Sequence, residues 1–242
     1  MRAGGTLTTS AIVRADGGDV ELDALAGDIT TGADVNASAG ASFGDGGTVT
    51  VIASGNVTVN GNYVLPGAGS LSQGGGDGGC ADVEGTAGTV TLNGDIDSHG
   101  ASPDGDAGEV DITSGLDYYQ PGSIFTQANG GGGCGSVMCA MIGRSFTLNG
   151  LIDVSGGFCG GCMEADAGAA ASLGAASEVS ADSAQAAGMV ILNAQQITAA
   201  GKLHATGTAT GGLAGIVPYG ASIKTDGASG ENLPAGERAA QV

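Results

Sequence analysis

The chain has 242 residues, a length that an all-β or α/β fold holds within one domain. Gly supplies 50 of them, against 14 Leu, 12 Ile, 17 Val and 4 Phe, and 25 acidic residues face 6 basic ones for a net charge of −19. This composition borders on disorder, and it excludes both an aromatic-rich core and a cationic patch for nucleic-acid phosphates or anionic membranes.

The first residues, Met1-Arg2-Ala3-Gly4-Gly5, contain no apolar signal-peptide stretch, and nowhere do about 18 apolar residues run together. No membrane insertion is expected, and an exported form would have its leader outside this chain or be a piece of a longer one. From Gly5 onward the residues read as strand. Strict alternation at Val20/Leu22, Val49/Val51 and Val190/Leu192 is the period-2 pattern of strands with one face inward. A second phrase follows these strands. Val57-Thr58-Val59-Asn60-Gly61-Asn62-Tyr63, Val90-Thr91-Leu92-Asn93-Gly94-Asp95-Ile96, Phe146-Thr147-Leu148-Asn149-Gly150-Leu151-Ile152 and Ile197-Thr198-Ala199-Ala200-Gly201-Lys202-Leu203 align without a gap.

The last apolar anchor of each unit falls at Ile12, Val35, Tyr63, Ile96, Ile124, Ile152, Val179, Leu203 and Ile223, a mean spacing of about 26 residues. Short strands at this period, with no helical pattern, predict an all-β, right-handed parallel β-helix of about 8–9 coils covering residues 1–230. Residues 231–242, with Pro234, Glu237 and Arg238, are expected to form a polar tail or cap. No comparable segment stands at the N-terminus, so the chain is expected to be a segment of a longer surface protein or a subunit that stacks end to end. The Asn-Gly pairs at Asn60, Asn93 and Asn149 fit sharp corners, where Asn tolerates a left-handed backbone. The Gly-Gly-x-Val-x-Val…Gly-x-Val-Thr-x-Asn-Gly phrasing resembles the parallel β-helix repeats of filamentous-haemagglutinin-like adhesins and related bacterial surface proteins. That resemblance covers nearly the whole chain and implies an extracellular or cell-surface role.

Chemistry is sought on the outward columns. Thr30, Thr58, Thr91, Thr147 and Thr198 form a predicted Thr ladder similar to the flat arrays of ice-binding solenoids. It is broken at Tyr118 or Tyr119 and near Ala169, and Thr is in any case a good exposed strand residue. The architecture also resembles polysaccharide lyases and hydrolases, whose sites need clustered carboxylates with a base. Here the column after the third anchor reads Asn36, Val64, Asp97, Phe125, Asp153, Ser180, His204 and Lys224. Asp97 and Asp153 are two coils apart with no adjacent base, so catalysis is not expected. His99 and His204 read as isolated surface imidazoles. The acidic loops at Asp45, Asp77, Asp104 and Asp106 suggest loose calcium association at most, because neither β-roll nor EF-hand spacing is present; no cofactor is expected.

All five cysteines lie in the loops after the third anchor. Cys134 and Cys162 share an offset of about ten residues from Ile124 and Ile152, which predicts a coil-to-coil disulfide between them. Cys139 and Cys159 could join them in a four-thiolate metal set, but structural disulfides are preferred, and with them an oxidising location. Cys80 is then the odd thiol, free or cross-linking. The expectation is a non-catalytic extracellular structural or adhesive solenoid with end-to-end self-association, other surface proteins or glycans as partners. Polysaccharide binding or cleavage and ice binding are the alternatives.

Overall fold

The structure is a computed structural model that describes residues 1–40, 43–208 and 212–225, with backbone alone from 213 onward. The expected boundary at 230 and tail 231–242 lie outside the described residues. Among them there is no helix, and therefore no helix long and apolar enough to cross a membrane.

The chain winds into a parallel β-solenoid whose rungs each carry three short strands. The first rung is β1 (Arg2–Ala3), β2 (Leu7–Thr9) and β3 (Val13–Arg14); the second is β4 (Val20–Ala24), β5 (Ile29–Thr31) and β6 (Val35–Asn36). The third and fourth are β7 (Val49–Ala53), β8 (Val57–Val59), β9 (Tyr63–Val64), then β10 (Ala81–Gly85), β11 (Val90–Leu92) and β12 (Ile96–Asp97). The fifth and sixth are β13 (Val110–Ser114), β14 (Tyr118–Gln120), β15 (Ile124–Phe125), then β16 (Val137–Ile142), β17 (Ser145–Leu148) and β18 (Leu151–Asp153). The seventh is β19 (Cys162–Ala167), β20 (Ala170–Leu173) and β21 (Glu178–Ser180). In the eighth, β22 (Met189–Ala199) runs round the corner before β23 (Lys202–His204), and β24 (Leu213–Thr225) lies parallel beyond it. Because β22 spans two faces, the first and second strand columns join into one 16-stranded sheet; the third column is a separate 8-stranded sheet, with seven turns between its first and last strands.

Register is residue on residue. Val20, Val49, Ala81, Val110, Met138, Met163 and Val190 stack inward, as do Leu22, Val51, Val83, Ile112, Ala140, Ala165 and Leu192. Side-chain volume is traded between successive rungs. Where Tyr118 and Phe146 stack with ring centroids 5.6 Å apart, the seventh rung answers with Ala165, Ala167 and Ala171. Of the buried polar groups, the Tyr118 hydroxyl donates to Gln120 Oε1 at 2.9 Å and Gln120 Nε2 donates to the Leu151 carbonyl at 3.2 Å, whereas the Thr9 and Thr126 hydroxyls have no partner among the described residues. Burial of each Val or Leu in these columns is worth roughly 1.5–3 kcal/mol, and every rung adds a parallel ladder of backbone hydrogen bonds.

The third-face anchors are Val13, Val35, Tyr63, Ile96, Ile124, Ile152, Val179 and Leu203. Two expected anchors are corrected. Ile12 is 66% exposed and its neighbour Val13 takes the column, while Ile223 pairs with Ile197 on the second face instead of following Leu203. Both lie at ends of the repeat, where a single apolar residue has no second rung to fix its phase.

The loops that return from the third face to the first are pinched at their necks. Gly47 N–H donates to Ala37 O, Gly79 to Leu65 O, Gly108 to Ser98 O, Gly161 to Val154 O and Gly188 to Ala181 O, at 2.6–2.9 Å. Excursions of different length therefore leave the rung unchanged, which is why coil length varies. The necks stack so closely that a methyl on Gly79 would run into the carbonyl oxygen of Gly47, and one on Gly108 into that of Gly79; only Gly fits there.

Candidate functional surfaces

Outward side chains on the second face form a column of Thr8, Thr30, Thr58, Thr91, Tyr119, Thr147, Ser172 and Thr198. All five expected Thr are in one line, and the column extends to Thr8. The breaks fall at Tyr119, which is 41% exposed, and Ser172. Just before β14, Asp117 accepts from Arg144 Nε at 2.8 Å, a pair that holds the Asp117 carboxyl below its ordinary range.

Acidic and amide side chains at the corners bind the next rung's backbone. Asn56 N–H donates to Asp28 Oδ1 at 2.7 Å and Thr89 N–H to Asn56 Oδ1 at 2.8 Å. At a second corner Asn62, Asp95 and Ser123 N–H groups donate to Asp34, Asn62 and Asp95 at 2.8–2.9 Å. In the neck loops, Asp77, Asp106 and Cys134 N–H groups donate to Asp45, Asp77 and Asp106 at 2.7–2.9 Å. Asn60 and Asn93 stand at the corners between β8 and β9 and between β11 and β12, where the Asn93 side-chain amide donates to Asn60 Oδ1 at 2.8 Å. Among the described residues, no group of three His, Cys, Asp or Glu is arranged to hold a metal.

On the third face, Asp97 and Asp153 lie two rungs apart with Phe125 between them, as the spacing implied. Two expectations are overturned: Asp97 does have a base beside it, and neither His99 nor His204 is isolated. His99 Nδ1 contacts Asp97 Oδ1. His204 is gripped from the seventh rung: Nδ1 to Asp182 Oδ2 at 2.7 Å and Nε2 to Glu178 Oε1 at 2.9 Å, with Lys202 Nζ 3.4 Å from Glu178 Oε2. Burial pulls the His204 imidazole down, yet the bonds to Glu178 and Asp182 outweigh it and raise its pKa. The His204 hydrogen bond lowers Glu178. Burial pushes Asp182 up, but the Thr206 N–H and hydroxyl and the His204 charge overcome it, leaving Asp182 low. With both ring nitrogens facing carboxylates, the imidazolium is the favoured form. This clasp was legible from the anchors: Glu178 stands over Lys202 and Ser180 over His204 once Val179 and Leu203 are in register.

The disulfide joins Cys134 to Cys159, with Cα atoms 4.6 Å apart, and not Cys134 to Cys162. Equal offsets from the preceding anchor misled because the variable loop intervenes; the following strand sets the phase. Val137 pairs with Cys162, so three residues earlier Cys134 meets Cys159. Using two of the four thiols in this bridge rules out the four-thiolate set. Cys80, Cys139 and Cys162 are free.

No protein-family model, curated protein or solved structure matches the chain.

Proposed function

We propose that the chain is a non-catalytic structural element of the cell surface or extracellular space, a stiff acidic rod that associates end to end and presents its flat faces for adhesion. The observation that carries this reading is the residue-on-residue register of all three faces through successive rungs, a ladder that any matching edge can extend. Strands β1, β2 and β3 each pair on one side among the described residues. The Cys134–Cys159 bridge fits an oxidising compartment. Sedimentation velocity over a wide concentration range tests the assembly: species growing in multiples of the 22.8 kDa chain are expected, and a monomer at every concentration contradicts it.

A second reading, polysaccharide binding, rests on Tyr119. An exposed phenol set into a flat Thr column beside the Asp117–Arg144 pair offers a stacking surface flanked by hydrogen-bonding groups. Affinity electrophoresis in neutral polysaccharide gels should retard the native chain and not Tyr119→Ala; equal mobility of the two ends this reading.

A further inference from the structure

Strands β16, β19 and β22 place three sulfur side chains on one outer patch of the first face. Inward residues alternate with them: Met138, Ala140, Met163, Ala165, Val190 and Leu192 are buried. The outward residues form a grid in which Val137, Cys162 and Met189 share one row and Cys139, Glu164 and Ile191 the next. Cys162 is thus directly beside Met189 and diagonal to Cys139. Both thiols are free and half-buried, and Cys162 and Met189 also line a shallow groove floored by Gly161 and Gly188.

Strand spacing and rise put the Cα atoms of a diagonal pair about 8 Å apart. That exceeds the roughly 7 Å limit for a disulfide without backbone movement. A single bridging atom changes the arithmetic. Two metal–thiolate bonds of about 2.3 Å span roughly 4.6 Å between sulfurs, which two Cys side chains leaning toward each other from this diagonal can present. Met189, on the far side of Cys162, is two strands across and two residues along from Cys139, about 12 Å between Cα atoms, and is out of reach of an ion held between the thiols. Thiolate donors select soft ions. The described carboxylates do not complete a hard or borderline site, since no three His, Cys, Asp or Glu side chains converge.

We propose that Cys139 and Cys162 form a two-thiolate site for a soft monovalent cation of the copper(I) type on the outer wall of the solenoid. Binding breaks two S–H bonds and forms two S–Cu bonds, with two protons released to solvent and no change of oxidation state. The negative surroundings, Glu109, Asp111 and Glu164 around Cys139, favour an approaching cation. Burial, and then these acidic neighbours, raise the Cys139 thiol, and burial followed by Glu164 raises that of Cys162. Because binding displaces both thiol protons, affinity rises with pH.

The test is anaerobic titration of the full chain, its Cys134–Cys159 bridge intact, with copper(I) held in a chromophoric chelator. One equivalent should bind with thiolate-to-copper absorption in the near ultraviolet. Cys139→Ser and Cys162→Ser should each weaken binding by roughly 100-fold or more, and Met189→Leu and Cys80→Ser not at all. Far-ultraviolet circular dichroism and a free-thiol count on each variant separate loss of the site from loss of the fold. Native-like affinity in the folded Cys139→Ser, Cys162→Ser double variant, or copper that follows Cys80, overturns the proposal.

Discussion

Gly79 touches the carbonyl of Gly47 below it and Gly108 above touches its own, so one methyl group at this position has nowhere to go. Gly79→Ala should destabilise the fold by roughly 3 kcal/mol, read as a lower denaturant midpoint, while Gly4→Ala, with open space around it, should leave the midpoint unmoved. The Asp and Asn side chains at the corners work the same way in reverse: they fill the gap between rungs with an oxygen that accepts the next backbone N–H. Cys134 combines both roles, its N–H held by Asp106 and its sulfur bonded to Cys159. Closing a separation of 25 residues is worth about 3 kcal/mol in the chain-entropy account, so Cys134→Ser should lower stability by about that amount. Peptide mapping of the native protein should give the Cys134–Cys159 link with Cys80, Cys139 and Cys162 unpaired; a Cys134–Cys162 link would contradict the strand register.

Strand pairing explains what could be read in advance and what could not. Val57, Val90, Phe146 and Ile197 fall in one inward column because each sits the same distance before its third-face anchor, with Tyr118 and Ala171 filling the rungs between. The phase of the neck loops was hidden, since their length varies between pinch points, and that misplaced the disulfide. The His204 clasp joins two elements distant in sequence, so it shows only when Val179 and Leu203 are set in register and not in any local motif. Its pH dependence follows from its shifts. The raised imidazole contributes fully below its unfolded pKa of about 6.5 and loses its contribution as pH rises through the higher folded value. Glu178 and Asp182, both lowered, contribute above about 4 and lose it as pH falls through their folded values. The clasp is therefore strongest between about pH 4.5 and 6.5, worth roughly 1 kcal/mol after solvent screening. His204→Gln should flatten the stability–pH profile on the alkaline side of that window; an unchanged slope would mean the clasp does not form.

At the scale of the molecule, the charge of −19 no longer resembles a disorder signal. Part of it stands at corners and in neck loops, where Asp28, Asp34, Asp45, Asp77 and Asp95 each hold the rung above by a backbone hydrogen bond and leave charge facing water. Gly, Thr and Val suffice for the rest because the stack supplies order through its ladders instead of through large side chains. Repetition also made the architecture readable from sequence, whereas partners are not encoded in a repeat and had to be argued from surfaces. The central claim is that this ladder is a structural rod that lengthens by meeting another of its kind. Electron microscopy of the concentrated full chain tests it most directly. The account predicts filaments with an axial spacing of about 4.8 Å and lengths growing in steps of about 40 Å; compact particles that never elongate and carry no such spacing would contradict it.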